Sequence, residues 1–391
     1  MKSIPKKIEE VLLSYVKRTY LPAGRGNPKY AHLFTAHDIN FFARGVAEMS
    51  SYFTSERGSL PKNYLNKKEL LAGYILYFVM ANMPKVSYCL EEAGAAQLFG
   101  NKETIKILDM GSGPGTASIS SAHYFGQRLP KTRLAISALD QNTKALHDAK
   151  HIFQQMQFAN ASLKTIYSFL HTKNIARSLQ NEKYDVIICA NSLSEAGGVE
   201  TQALIVEELL ASHLSPDGIF IVIEPALRHT TRNLMQLHDL LLEHEISHHF
   251  IAPCTHSLSC PMLRHNHRDW CHVYIDWARP EVVAKIDQLV GNRKDYLKFS
   301  YFILSMSKIA TEHVSPEVFR AVSAPMRSKG KIEVLLCNKG GLIRVTRQDK
   351  NASPSNADFD CIQRGQLVIW NGALTIEKDS LFKILTPRVI V

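Results

Sequence analysis

No apolar run in this chain reaches the ~20 residues that a membrane-crossing helix needs. The uncharged apolar stretch from Leu70 to Pro84 falls short of that length, so no membrane span is expected. Near the start, MKSIPKKIEEVLLSYVKR places Glu9 and Glu10 where a secretion signal requires a continuous apolar core. No export is predicted. There is no C-x2-C pair, the spacing shared by many zinc sites. A P-loop, which requires Gly-Lys-Ser/Thr after its glycines, is missing as well. Seven cysteines in a reducing compartment do not make a disulfide framework. The expectation is therefore a soluble protein of the bacterial cytoplasm.

A chain of 391 residues has the length of two to three domains and can bury substantial cores. Its apolar content of 45% and charged content of 21% are those of a globular protein. A net charge of +10 favours an anionic partner, nucleic acid first.

The stretch IKILDMGSGPG, Ile105 to Gly115, organises the chain. An apolar strand ends in Asp109 and passes into glycines 111, 113 and 115, and TASI then opens a helix. Glycines at alternate positions let a backbone bend sharply and lie close to a ligand, and the helix beyond presents unpaired N–H groups. The spacing G-x-G-x-G differs from the dinucleotide turn G-x-G-x-x-G. These residues resemble motif I of the class I S-adenosylmethionine methyltransferases. The resemblance implies that Gly111, Ser112, Gly113 and Gly115 pass under the methionine part of the cofactor, with Asp109 orienting its polar end.

Around this turn the chain reads in three parts. Residues 1–100 are mostly helical, broken by Pro22, Gly24, Gly26 and Pro28, with a buried helix that ends or kinks near Pro84. Residues 101–310 alternate short β-rich runs with helical ones, the pattern of a mostly parallel sheet covered on both faces. Strands are predicted at Ile105–Asp109, Arg133–Leu139, Lys164–Phe169, Tyr184–Ala190, Gly218–Ile223 and Lys298–Met306. Ligands sit at the carboxyl ends of such strands, so Asp140 becomes the candidate for the ribose hydroxyls and Asn191 lines the same edge. The loop Asn191-Ser192-Leu193-Ser194-Glu195 lacks the N/D-P-P-Y/F/W sequence of amine methylation, and no general base is assigned. Residues 311–391 begin with a short helix around Pro316–Val322. Strand-like runs at Ile332–Leu336, Leu342–Thr346, Leu367–Trp370 and Leu381–Leu385 then fit a small β-barrel of the OB type. KNASPSNAD reads as a loop. Arg327, Lys329, Lys331, Lys339, Arg344 and Arg347, with Arg264 and Arg268, form a candidate phosphate-contacting surface.

The second constellation is the insertion 251–277, IAPCTHSLSCPMLRHNHRDWCHVYIDW. Thiolates are soft ligands for zinc or an iron–sulfur cluster, and Cys254, Cys260 and Cys271 supply three. A fourth is available at Cys337 or Cys361. His256, His265, His267 and His272 are nitrogen alternatives that favour zinc. Free buried cysteines are the plainer reading. Pro253-Cys254 as the nucleophile of a cytosine methyltransferase is a further one, opposed by the neighbouring cysteines.

LDMGSGPGTAS, APCTHSLSCP, RDWCHVYIDWARP, KFSYFILSMSK and SAPMRSKGKIEVLLCNKGG together resemble the methyltransferase-like small-ribosomal-subunit assembly family of bacteria and mitochondria. The likeness covers roughly residues 70 to 350. It implies a class I methyltransferase (Rossmann-like) α/β core, with Cys254, Cys260, Cys271 and Cys337 holding a [4Fe–4S] cluster. The implied partner is small-subunit ribosomal RNA, without DNA or membrane, bound by a monomer. Methyl transfer to that RNA is the first functional expectation. A non-catalytic assembly factor that binds S-adenosylmethionine is the second, and a zinc-stabilised nucleic-acid methyltransferase the third.

Overall fold

The computed structural model describes residues 1–21, 34–54, 64–244, 248–307 and 318–369, and the strands Thr375–Glu377 and Leu381–Lys383. Pro22 to Pro28, Trp370 and parts of the predicted runs at 316–322 and 381–385 lie outside the described residues. The chain forms two compact units. One comprises Met1–Ala196, Ser212–Ser215 and Ile275–Leu297; the other comprises Gly197–Ala211, Pro216–Tyr274 and Lys298–Val391.

In chain order the strands of the α/β region are β1 (Lys2–Ser3), β2 (Thr104–Met110), β3 (Arg133–Asp140), β4 (Ala161–Tyr167), β5 (Tyr184–Ala190), β6 (Leu214–Pro225), β7 (His249–Ala252), β8 (Val273–Ala278) and β9 (Tyr296–Ser305). In the first unit β4, β3, β2 and β5 lie side by side in that order, all parallel, with Ile107 opposite both Ile136 and Val186. Ile107, Leu108, Val186, Ile187 and Ile188 are fully buried, as a parallel sheet covered on both faces requires. Helices Thr116–Arg128, Thr143–Met156 and Thr172–Leu179 follow the first three of these strands. Later strands are added to one side of β2 and then, with β5, to the other. The reversal between β2 and β5 leaves a crevice at the strands' carboxyl ends.

The N-terminal segments are helical as expected, over Lys6–Tyr20, Ala36–Thr54 and the run to Glu92. Ile8, Leu12 and Val16 fall on the buried face of the first. The helix does not end at Pro84 but runs through it over Met80–Glu92, with an irregular π-helical turn at Tyr74–Val79 just upstream. Proline removes one N–H bond there, and burial of Met83, Pro84 and Val86 on the same segment offsets that loss. The run Lys68–Glu92 has the length and apolarity to cross a membrane, and 89% of its apolar window is buried inside the protein. It is a core helix.

In the second unit β6 and β9 pair antiparallel, with Ile221 opposite Ile303, and β7 adds antiparallel to β9. The α/β strands are therefore mixed in direction. Further strands are β10 (Val318–Ala321), β11 (Met326–Ser328), β12 (Lys331–Asn338), β13 (Gly341–Gln348), β14 (Leu367–Ile369), β15 (Thr375–Glu377) and β16 (Leu381–Lys383). They form a second sheet in the order β14-β10-β12-β13-β16-β15, with β11 on β12. Phe319, Ile332, Val334, Leu336, Val345 and Phe359 make its core.

Two local expectations fail here. The described part of Pro316–Val322 is strand β10 rather than helix, because Val318–Ala321 finds partners on both sides, in β12 and β14. KNASPSNAD is not an open loop: it carries 3-10 turns at Asp349–Asn351 and Pro354–Cys361, the second opened by a Ser353/Asn356 capping box.

Candidate cofactor turn and cysteine site

Every residue predicted for the glycine site falls in the first unit, at the carboxyl ends of β2, β3 and β5. Gly111 has φ +64°, and a Cβ there would stand 2.3 Å from the Cβ of Ser192. Only glycine lets the turn pass the β5 loop. Gly113 has φ +50°, yet its Cβ would meet nothing within 4 Å. Its open side is the space a ligand can approach. The turn is tied to the sheet by the Ser112 N–H, which donates to the Leu139 carbonyl at 3.0 Å. Gly115 caps the helix Thr116–Arg128. Thr116, the first residue of that helix, has a buried hydroxyl with no hydrogen-bond partner.

The two carboxylates are both turned toward backbone. Asp109 accepts the N–H and the hydroxyl of Ser118, each at 2.7 Å, and burial raises its pKa to about 7 against the pull of those bonds. Asp140 accepts the N–H of Gly113 at 2.8 Å and that of Asn142 at 2.7 Å, and burial raises its pKa as well. Its carboxylate thereby fixes the glycine turn to β3 while keeping acceptor capacity, since two oxygens offer about four lone-pair directions. Asn191 adopts φ +62° at the end of β5, a turn conformation that asparagine tolerates. The adjacent Ser192 hydroxyl donates to the Met110 carbonyl at 2.8 Å. Sequence reasoning missed Thr116, Ser118 and Ser192. The run TAS at the helix start was the available signal for the first two.

The cysteines of interest all fall in the second unit. The insertion turns out to carry β7 and β8 at its ends, so the irregular loop is 253–272. Cys254 follows β7. Cys260 caps the short helix Pro261–His265, its N–H donating to Asp239 at 2.7 Å. Cys271 immediately precedes His272 and β8, and Cys337 lies on β12 opposite both Arg320 and Leu342. Arginines hold the loop by its carbonyls. Arg232 donates to Asn266 and Asp269 at 2.9 and 3.0 Å, Arg228 to His267 at 2.6 Å, and Arg320 to Pro253 at 2.8 Å. Trp270 adds a bond to the Ala226 carbonyl at 3.0 Å.

Cys260, Cys271 and Cys337 share one apolar cluster with Met235, Met262, Val322 and Leu335. Burial pushes the Cys260 thiol up to about 12 and raises those of Cys254, Cys271 and Cys337. The Cys254 thiol is raised further by the other three, and Cys337 by Cys260 and Cys271. Arg320 opposes the rise at Cys254 and Cys271, and Arg364 at Cys271. Both arginines escaped the sequence reading. Cys361 is exposed, His265 and His267 are exposed, and His272 is held near Trp270 and Tyr274. Among the described residues no group of three or more His, Cys, Asp or Glu side chains is gathered closely enough to hold a single metal ion.

Of the expected basic surface, Arg347 is withdrawn: it is buried and paired with Asp360 at 2.7 Å. Arg264, Arg268, Arg327, Lys329, Lys339 and Arg344 are exposed.

A glycine turn at the switch point of a doubly covered parallel sheet defines a Rossmann-like α/β fold. Residues 69–356 match the family described as mitochondrial small ribosomal subunit Rsm22, and the chain belongs to that family. This finding corrects the compartment expected from the sequence: the family is described as mitochondrial, not as one of the bacterial cytoplasm. Among solved structures, similarity is found to a class I S-adenosylmethionine-dependent methyltransferase candidate from Listeria monocytogenes (10% identity, 79% of this chain, 90% of that chain, TM-score 0.40). Another is an O-methyltransferase family protein from Burkholderia thailandensis (13% identity, 70% of this chain, 74% of that chain, TM-score 0.37). A third is a methyltransferase from Thiobacillus denitrificans in complex with S-adenosyl-L-homocysteine (17% identity, 55% of this chain, 90% of that chain, TM-score 0.31). Curated proteins give no match.

Proposed function

We propose that this protein binds S-adenosylmethionine at the Gly111–Gly115 turn and acts on or binds small-subunit ribosomal RNA during assembly of that subunit. Four cysteines, Cys260 buried and Cys254, Cys271 and Cys337 half-buried, would hold a [4Fe–4S] cluster. The packing of Cys260, Cys271 and Cys337 around one apolar cluster, in a chain of the small-ribosomal-subunit family, supports this reading. In this reading residues 1–100 are a helical region, 101–310 the cofactor-binding core and 311–391 a small OB-like β region that brings Cys337.

Both sites suit their groups chemically. The open side of Gly113 and the unpartnered hydroxyl of Thr116 offer room and a donor where a helix N-terminus favours an anionic end. Asp140 retains acceptor capacity for ribose hydroxyls. Thiols packed against an apolar cluster, as those of Cys260, Cys271 and Cys337 are, do not ionise unaided; a metal centre supplies the charge that deprotonates coordinating thiols. When bound, S-adenosylmethionine supplies an electrophilic methyl group. The chain's own part is to seat it, with the exposed arginines and lysines of the second unit drawing RNA by its phosphates.

A non-catalytic factor is the second reading, and one observation favours it. At the carboxyl ends, Asp109, Asp140 and Ser192 each bond to the protein itself, and no general base is identified there. Incubation of isolated small subunits with methyl-labelled S-adenosylmethionine separates the two. Label in ribosomal RNA establishes the enzyme; binding without label at any assembly stage establishes the factor. Iron and sulfide analysis of anaerobically purified protein tests the cluster, and zinc in their place refutes it.

A further inference from the structure

His256 is buried inside the cysteine loop, between Cys254 and Cys260. Its Nδ1 accepts the backbone N–H of Leu258 at 3.1 Å, and its Nε2 lies 3.9 Å from Cys337 Sγ. A neutral imidazole has one nitrogen with a lone pair and one with a proton. Nδ1 is committed as the acceptor, so the proton resides on Nε2, facing the sulfur. Ligation through that nitrogen would require its lone pair instead. At 3.9 Å this is a long contact, at the outer reach of sulfur's diffuse lone pairs.

From this geometry we infer that His256 is not a ligand of the four-cysteine site but a positioning residue. Its Nε2–H donates to the sulfur of Cys337. The inference rests on the cluster reading above. Cys337 is the one proposed ligand on the second sheet, whereas the other three belong to the loop 253–272. A donor on the loop that grips the sulfur of Cys337 fastens strand β12 to the site. The N–H of Cys260, a backbone donor on the same loop, is already committed to Asp239. Hydrogen bonds to ligand sulfurs withdraw electron density and raise a cluster's reduction potential.

The test uses anaerobically purified full-length protein as wild type, His256→Leu and His256→Gln. Iron and sulfide per chain and the midpoint potential are measured for each. The Leu variant should keep the wild-type iron content and show a lower midpoint, and Gln, whose amide N–H reaches toward the same sulfur, should restore it in part. Loss of iron in a folded Leu variant, or an unchanged midpoint, overturns the inference. Pulsed EPR of reduced wild-type protein carrying 15N-histidine needs no variant: weak nitrogen coupling supports the donor, and the strong coupling of a bound nitrogen refutes it. A wild type without iron refutes the cluster reading, and this inference with it. An iron-loaded wild type with strong nitrogen coupling refutes the inference alone.

Discussion

Ser118 gives two hydrogen bonds to one carboxylate oxygen of Asp109, from its backbone N–H and from its hydroxyl, each 2.7 Å long. The acid that ends β2 thus closes the first turn of the following helix, locking strand, glycine turn and helix together.

Burial nevertheless raises the pKa of Asp109 from 3.8 to about 7. Below pH 4 the group is protonated in both folded and unfolded chains and is neutral toward stability. Between pH 4 and 7 the unfolded chain gives up the proton first, so Asp109 lowers stability increasingly as pH rises, and the penalty levels off above 7, where both states are ionised. Asp109→Asn keeps an acceptor oxygen without the charge. At about 1.4 kcal/mol per unit, the variant should gain a few kcal/mol on wild type between pH 4 and 7.5. Urea unfolding across that range checks this, and a pH-independent gap contradicts it.

Gly111 and Gly113 should respond in opposite ways to alanine. At Gly111 the added Cβ collides with Ser192 and the fold suffers. At Gly113 the cost is that of a left-handed alanine, about 1–2 kcal/mol, but the Cβ enters the ligand space. Gly113→Ala should therefore stay folded while losing at least ~10-fold in S-adenosylhomocysteine affinity, an outcome that one lost contact of ~1.4 kcal/mol suffices to give. Calorimetry and thermal melting measure the two effects separately.

The first helix is latched by phenols. Tyr15 donates to Asp148 at 2.6 Å, and Tyr20 donates to the other oxygen of the same carboxylate. Asp148 is buried, so Tyr15→Phe leaves it short of a donor and should cost about 1–3 kcal/mol in urea unfolding. A change below ~0.5 kcal/mol, the size expected of an ordinary surface substitution, would show that the latch is not energetically used.

Cys254→Ser should release the iron and leave the C-terminal region open to protease, because ligation free energy is also folding free energy. Limited proteolysis alongside iron analysis reads both. Unchanged iron content refutes the ligand role of Cys254.

Much of this protein is legible in its sequence because the signals are local. An apolar run ending in Asp109, glycines at alternate positions and a helix start dictate strand, turn and helix whatever the surroundings. The β5 strand, Tyr184–Ala190, falls where its β-rich run predicts. Where neighbours decide, local reading fails. Val318–Ala321 becomes a strand because two other strands pair with it, and Pro84 stays helical because its segment is buried. Arg347 looks like a surface cation in sequence and is spent internally on Asp360.

Sequence alone determined which residues are the candidates: the glycine turn, the acids Asp109 and Asp140, and four cysteines scattered from 254 to 337. Tertiary structure alone decided how each is used. Side chains far apart in the chain meet only through packing, and only packing removes the water that sets their charge and bonding. It turned the two acids toward backbone donors, left Gly113 open and Gly111 closed, brought Cys337 to the thiols of the loop, and put the proton of His256 on the nitrogen that faces it.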